Sequence, residues 1–289
     1  MSIEKEEKNL KITVYSRESG MLNPVLLLMH IFRDLFKSWS LGWRFFKRNL
    51  SGQFRQSLLG LIWAFIPPLM STLVWVFLNG QRIINVEDPG IPYPAFVLTS
   101  TLLWSVFAQS LLMPNTVFNQ GKSIMTKINF PKESLLISGL FQIGFDFIIK
   151  AILIAGVMVV FQVKPSTTIL FVPIGVLALT LAGMSLGLLL LPIGMLYTDI
   201  QRVLSAILPF WMLLTPVIYP TPREGIAALI NKYNPVSPLL SATRDWLFVG
   251  TGGYTDSFLM ISSTLVLLTI IGLVLFRLAV PFIIERIGS

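Results

Sequence analysis

From residue 54 onward the chain alternates long apolar runs with short polar breaks. A hydrocarbon core about 30 Å deep needs roughly 20 residues of helix at about 1.5 Å each, and six runs reach that length. They lie at about 57–79, 93–118, 134–163, 167–197, 203–219 and 257–282. Their apolar character is continuous rather than alternating, which predicts helices and not the strands of a transmembrane barrel. The expected fold is an all-α integral membrane protein with six transmembrane helices. An even count puts both termini on the same side.

Ahead of the first run lies "HIFRDLFKSWSLGWRFFKRNL", in which Ile31, Phe32, Leu35, Phe36, Trp39, Trp43, Phe46 and Leu50 recur at helical spacing. Arg33, Lys37, Arg44, Lys47 and Arg48 gather on other faces, so this helix is expected to lie along the membrane surface. Periodicity leaves two roles open, a lipid anchor or a lever that also touches a cytoplasmic partner. The head of the chain, "MSIEKEEKNLKITVYSRESG", carries both charges and no apolar core, so no cleaved secretory signal is expected and this end stays in the cytoplasm. The organisation expected is a cytoplasmic segment over 1–24, an amphipathic interface helix over 25–53 and a transmembrane domain over 54–289. Arg55, Gln56 and Ser57 form a polar lead into the first span, with Pro67 and Pro68 about ten residues deeper, roughly mid-bilayer. A proline there removes a helical hydrogen bond and bends the helix. The bend either fixes packing or widens the cytoplasmic mouth of a path.

Composition agrees with a membrane setting: 54% of residues are hydrophobic, 12% are charged and the mean hydropathy is +0.75. The net charge of +8 follows topology rather than nucleic acid. With the N-terminus inside, about sixteen of the 22 Lys and Arg residues fall on the cytoplasmic side and about five outside. The 120–134 loop supports this independently of the long N-terminal region. Cysteine is absent and His30 is the single histidine, so neither a thiolate nor a histidine metal cluster is available. No GxxxxGK[ST] phosphate loop, HExxH motif or suitably paired acids occur, so the chain is read as non-catalytic, binding no cofactor or metal itself. Uphill transport would draw its energy from another chain.

Within the third span, Asp146 and Lys150 stand one turn apart, in the acid-to-base order that allows mutual pairing. A proton or ion relay would want further intramembrane acids, and the other spans offer none near their centres. The loop "NQGKSIMTKINFPKES" is either a solvated connector or a short element that docks on another protein. "YPTPREGIAALINKYNPVSPLLSATRDWLFVGTGGYTD" fits two short helices broken at "NPVSP" and dipping into the outer leaflet, or an ordinary extracellular loop. The aromatic residues Phe65, Trp75, Phe141, Phe145, Phe210 and Trp211 lie deep in the spans. Core packing is one role for them, and lining a pore on which sugar rings slide is another.

Five stretches carry a resemblance in order: "GQFRQSLLGLIWAFIPPLMSTLVWVFLN", "IPYPAFVLTSTLLWSVF", "KSIMTKINFPKESLLISGL", "GMLYTDIQRVLSAILPFWMLLTPVIYP" and "YNPVSPLLSATRDWLF". Over roughly residues 24–285 the chain resembles ABC-2 type permeases, and more closely the permease subunits of bacterial polysaccharide ABC exporters. That resemblance implies a homodimer in the bacterial inner membrane, paired with two copies of a separate ATPase that holds ATP and Mg, and exporting lipid-linked O-antigen. Teichoic acid or capsular polysaccharide is the nearest alternative cargo. An ATP-independent channel or an ion-coupled transporter is the alternative of a different class. The resemblance also implies ATPase coupling by Arg33, Lys37, Lys122, Lys127, Pro131, Lys132 and Glu133, with Asp199 and Arg202 holding the fourth and fifth spans. Phe65, Pro67, Pro68, Trp75, Phe141, Phe145, Phe210 and Trp211 would line the substrate path. Short re-entrant periplasmic gate helices between the fifth and sixth spans would carry Tyr219, Asn234, Pro235, Pro238 and Arg244.

Overall fold

The computed structural model describes residues 24–54, 58–84, 86–125, 127–128, 130–222, 224–250 and 255–288. The acidic head and the Arg55, Gln56, Ser57 junction lie outside the described residues. Among the described residues ten α-helices occur: α1 (Pro24–Lys37), α2 (Trp39–Phe54), α3 (Ile66–Gly80), α4 (Tyr93–Met125), α5 (Glu133–Val160), α6 (Val172–Leu196), α7 (Asp199–Leu213), α8 (Gly225–Tyr233), α9 (Val236–Phe248) and α10 (Thr255–Gly288). Two 3-10 turns precede α3 and α6, and no strand occurs among the described residues.

Among the described residues five helical stretches are long and apolar enough to cross a membrane: Gly60–Gly80, Tyr93–Met125, Glu133–Val160, Ile169–Leu196 and Asp256–Ile283. The expected span at 203–219 differs. Its helix, α7, has 15 residues, about 22 Å, and gives way at Leu214 to turns through Ile218. The second span is longer than expected, since α4 runs to Met125 and leaves only residues 126–132 as its link to α5.

The surface helix expected as one piece is two. Ser38 separates α1 from α2, yet its amide donates to the Asp34 carbonyl at 2.9 Å and its carbonyl accepts from the Gly42 amide at 2.8 Å. The chain therefore bends without losing its hydrogen-bond ladder. Ile31, Ser38, Gly42 and Phe46 face inward, whereas Phe32, Phe36, Trp39 and Trp43 remain exposed. One apolar stripe thus packs on protein while the other is left for the lipid interface.

At the centre α4 and α6 pack together along their length, with α10 on the far side of α6 and α5 against α4. The seam is close because α6 carries Gly183 and Gly187, four apart in "GMSLG". A Cβ at Gly183 would collide with the Phe107 carbonyl, and one at Gly187 with the Leu111 carbonyl. Small residues at this spacing let membrane helices approach backbone to backbone, where lipid leaves no hydrophobic drive between helices. Phe107, Leu111, Leu179, Leu188 and Leu191 fill the seam, fully buried. By contrast α3 buries Thr72 alone and α7 buries Leu208 alone. These two helices present their apolar sides outward.

Pro67 and Pro68 do not interrupt the middle of a helix. They occupy the first turn of α3, directly after the 3-10 turn Gly60–Ala64. A first-turn proline sacrifices no intrahelical bond, because those amides have no acceptor there anyway. The Pro68 carbonyl accepts the Thr72 hydroxyl at 2.8 Å. The expected mid-helix bend is therefore a junction between two helical windings.

Candidate functional site

A cavity of about 640 Å³ opens between α2, α4 and α5. Its α4 wall carries Gln109, Thr116 and Gln120, and its α5 wall carries Ser138, Gln142 and Asp146. From α2 come Phe46, Arg48, Asn49 and Gln53. These spacings follow from the helix period: steps of seven and then four on α4, and of four on α5, keep successive polar groups on one face. The Asn49 amide donates to Gln120 Oε1 at 3.3 Å, tying the surface helix to α4. Two amide to charge contacts fix the deep end. Lys150 Nζ donates to Gln109 Oε1 at 2.7 Å, and Gln142 Nε2 donates to Asp146 Oδ1 at 3.0 Å. The spacing of Asp146 and Lys150 allows them to pair, and the hydrogen bond that each makes goes to a glutamine. Lys150 crosses to α4 because its Nζ is buried there beside an amide oxygen.

Beyond the groove, Gln201 on α7 donates through Nε2 to Thr116 Oγ1 at 3.2 Å and accepts from Asn119 Nδ2 at 3.2 Å. This is the polar tie between α7 and α4. Asp199 and Arg202, expected to hold helices here, form an exposed pair with each other at 3.3 Å. Exposed pairs of this kind contribute about 0–1 kcal/mol.

The end of the bundle that holds α1, the start of α5 and the last turns of α10 carries the residues expected to meet an ATPase. Arg33, Lys37, Lys127, Pro131 and Arg202 are exposed there, with Lys122 and Lys132 half-buried. Lys132 stands over the Phe130 ring at 4.3 Å. Burial lowers its ammonium below the usual lysine range, and neighbouring Glu133 opposes that shift. Glu133 itself is buried and unavailable to a docking protein. It accepts from Arg277 of α10 at 3.4 Å, and Arg277 also meets Asp34 of α1 at 2.6 Å. One guanidinium thus clamps three helices that are far apart in sequence. Arg277→Ala should loosen this junction by about 1–3 kcal/mol, since it leaves a buried carboxylate without its cation. Thermal unfolding in detergent checks the loss, and adding Glu133→Gln should recover part of it.

At the opposite end, α8 and α9 break at Asn234 and Pro235, within the expected motif. Asn234 is the hub. Its Oδ1 accepts from Trp211 Nε1 at 3.2 Å and from the Val236 amide at 3.1 Å, while its Nδ2 donates to Thr215 Oγ1 at 2.8 Å. Tyr219 donates to the Leu213 carbonyl at 3.0 Å, bracing the turns after α7. Pro235 caps α9, and Pro238 lies in its first turn. Arg244, only 5% exposed, donates to Ser100 Oγ at 3.1 Å and the Pro216 carbonyl at 2.8 Å. Its guanidinium lies 4.2 Å from the Phe96 ring centroid. Burial raises the neighbouring Asp245 carboxyl, and Arg244 pulls it back down.

Residues 41–248 match the ABC-2 type transporter family. The chain belongs to that family. Among its curated relatives is the O-antigen export system permease protein RfbA of Myxococcus xanthus, 25% identical over 218 residues, which are 74% of this chain and 83% of that protein. The protein of the same name from Klebsiella pneumoniae is 22% identical over 233 residues, 80% of this chain and 88% of its own length.

In this ABC-2 transporter three of the six aromatic residues expected on a substrate path, Phe141, Phe145 and Trp211, make ring contacts with other helices. Phe141 stacks edge-on against Trp39 at 4.8 Å and Trp43 at 5.0 Å, and Phe145 lies 6.1 Å from Phe46. They seat the surface helix on α5. Trp211 packs against Trp104 and Phe107 at 6.2 and 5.1 Å, besides its bond to Asn234. Phe65 and Trp75 are half-buried along the first span, and Phe210, 70% exposed, points outward from α7. Sequence reading missed Gln109, Gln142 and Gln201. Their signal was amides within apolar runs, at positions that share a helical face with Asp146 or Thr116.

Proposed function

We propose that the chain is the channel-forming subunit of an ATP-driven exporter of lipid-linked polysaccharide, with O-antigen as its cargo. The observation that carries this reading is the polar groove over α4 and α5, set in an ABC-2 transporter whose relatives are named for O-antigen export. Amides and a carboxylate at apolar depth are costly against lipid tails, so they belong beside water, protein or a polar cargo. The exposed apolar sides of α3 and α7 support a second copy of the chain as the partner that completes the path. α7 with the turns through Tyr219 acts as the remaining span, which gives six and puts both termini in the cytoplasm of a bacterial inner-membrane protein.

The exposed residues Arg33, Lys37, Lys127, Pro131 and Arg202, with Lys122 and Lys132, dock two copies of a separate ATPase, which supplies ATP and Mg. Glu133 acts there as a positioning residue through Arg277. α8 and α9, braced by Asn234, Tyr219 and Arg244, form the periplasmic gate. The surface helices carry cytoplasmic motion to α5 through Phe141 and Phe145, and the residues from 54 onward form the transmembrane domain. Pro67 and Pro68 set the winding of the first span beside the path.

Purified subunit and its ATPase, reconstituted in liposomes with lipid-linked glycan, provide the test. Translocation is expected only with ATP hydrolysis. Transport that persists when the ATPase binds but does not hydrolyse ATP would overturn the reading.

A further inference from the structure

We infer that the groove between α2, α4 and α5 is a sugar-binding site, which recognises hydroxyl-rich units rather than merely letting them pass. The inference rests on the export reading and names which part of the cargo this site holds.

The argument begins from hydrogen-bond inventory. Gln109 gives its Oε1 to Lys150 and keeps its amide NH2 for a ligand. Gln142 gives an N–H to Asp146 and keeps its Oε1, and Asp146 keeps its second carboxylate oxygen. The walls therefore offer fixed donors and acceptors side by side. A hydroxyl, which both donates and accepts, satisfies such a set. A phosphate satisfies only the donors and leaves Gln142 Oε1 and the second Asp146 oxygen unpaired, even though Arg48 lies in the α2 wall. An alkyl chain satisfies none. Lys150 and Asp146 contribute by holding the two glutamines in fixed orientations, so fewer rotamers are lost when a ligand binds. Thr116 and Ser138 donate to the Leu112 and Leu135 carbonyls of their own helices, so the free donors and acceptors of the walls come from Gln109, Gln142 and Asp146. At about 640 Å³ the cavity falls in the usual range of small-molecule sites, roughly 300–1,000 Å³. Among the described residues no group of three His, Cys, Asp or Glu side chains comes together for a metal, so Asp146 is left to hydrogen bonding.

The natural chain contains no cysteine, so it serves directly as the background for single-cysteine probes. Gln142→Cys and Thr116→Cys place a thiol in the groove. Ile148→Cys places one on an exposed apolar side of the same α5 helix. In the assembled exporter in liposomes, a membrane-impermeant maleimide should label the groove thiols at least tenfold faster than the Ile148→Cys thiol. Lipid-linked glycan should slow groove labelling several-fold, and polyprenyl diphosphate without sugar should not. Protection by free oligosaccharide of the same repeat would assign recognition to the sugar alone. Protection confined to the lipid-linked form would assign it to sugar delivered by its lipid. Groove thiols no more reactive than the Ile148→Cys thiol, or equal protection by the sugar-free lipid, would overturn the inference. Gln109→Leu with Gln142→Leu should lower export at limiting glycolipid by about tenfold, the loss of roughly two hydrogen bonds. Labelling and protection need no turnover, so wild-type export tests the transport reading separately.

Discussion

Arg244→Ala is expected to be the most damaging single substitution at the α9 end of the bundle, lowering stability by about 3–5 kcal/mol. Three groups, two on α4 and one after α7, lose their common partner at once. The Ser100 hydroxyl of α4 and the Pro216 carbonyl after α7 lose a charged donor, and the Phe96 ring loses the cation that covers it. Asp245 loses the adjacent positive charge that draws its proton affinity down, so its carboxyl shifts further upward. Arg244→Lys should restore less than half of the loss, because an ammonium lacks the planar fork that reaches Ser100 and Pro216 while lying over a ring. Thermal unfolding in detergent measures the loss, and limited proteolysis shows whether α8 and α9 detach first. A melting point within a degree of wild type for Arg244→Ala would remove the staple role.

Gly187→Leu should be comparably severe for a different reason. The obstacle at this position is the Leu111 carbonyl together with the Pro114 ring, not a side chain that swings aside. Overpacking typically costs about 1–3 kcal/mol, and a backbone neighbour puts this position at the upper end. Gly144→Leu on α5 is the matched control, since nothing lies within 4 Å of its added Cβ. A monodisperse, heat-stable Gly144→Leu protein beside an aggregating Gly187→Leu protein is the expected result. Equal behaviour of the two would mean that the α4 and α6 seam yields more easily than its geometry implies.

What the chain disclosed in advance is unequal, and the inequality has physical causes. The long spans were legible because bilayer thickness fixes helix length, so α4, α5, α6 and α10 stand out by counting apolar residues. The break between α8 and α9 was legible because Asn234 and Pro235 are strong local punctuation. Residues 203–219 were legible in part, as the helix α7 up to Leu213, because mean hydropathy does not distinguish a helix from the buried turns that follow it. Thr215, Val217 and Ile218 are apolar or small and tightly packed without being helical. Asp146 and Lys150 were legible as neighbours because helical spacing puts them one turn apart, but the glutamines that bond them, above all Gln109 on another helix, appear only when α4 and α5 are brought together. The aromatic side chains were ambiguous in principle, since Phe141 looks the same in sequence whether it faces a pore or supports Trp39 and Trp43. The "GMSLG" seam was legible and went unread.

The brevity of α7 bears on the membrane as much as on the protein. Standing upright in a hydrocarbon layer of about 30 Å, a 15-residue helix ends roughly 8 Å short of one face. The stretch that would cover that distance, Leu214 to Ile218, is turns rather than helix, with Thr215, Val217 and Ile218 buried. Hydrocarbon tolerates such backbone only where protein or water surrounds it, so the far end of α7 depends on the neighbours that shelter it, and its shortness ties this side of the transporter to its own interior rather than to lipid.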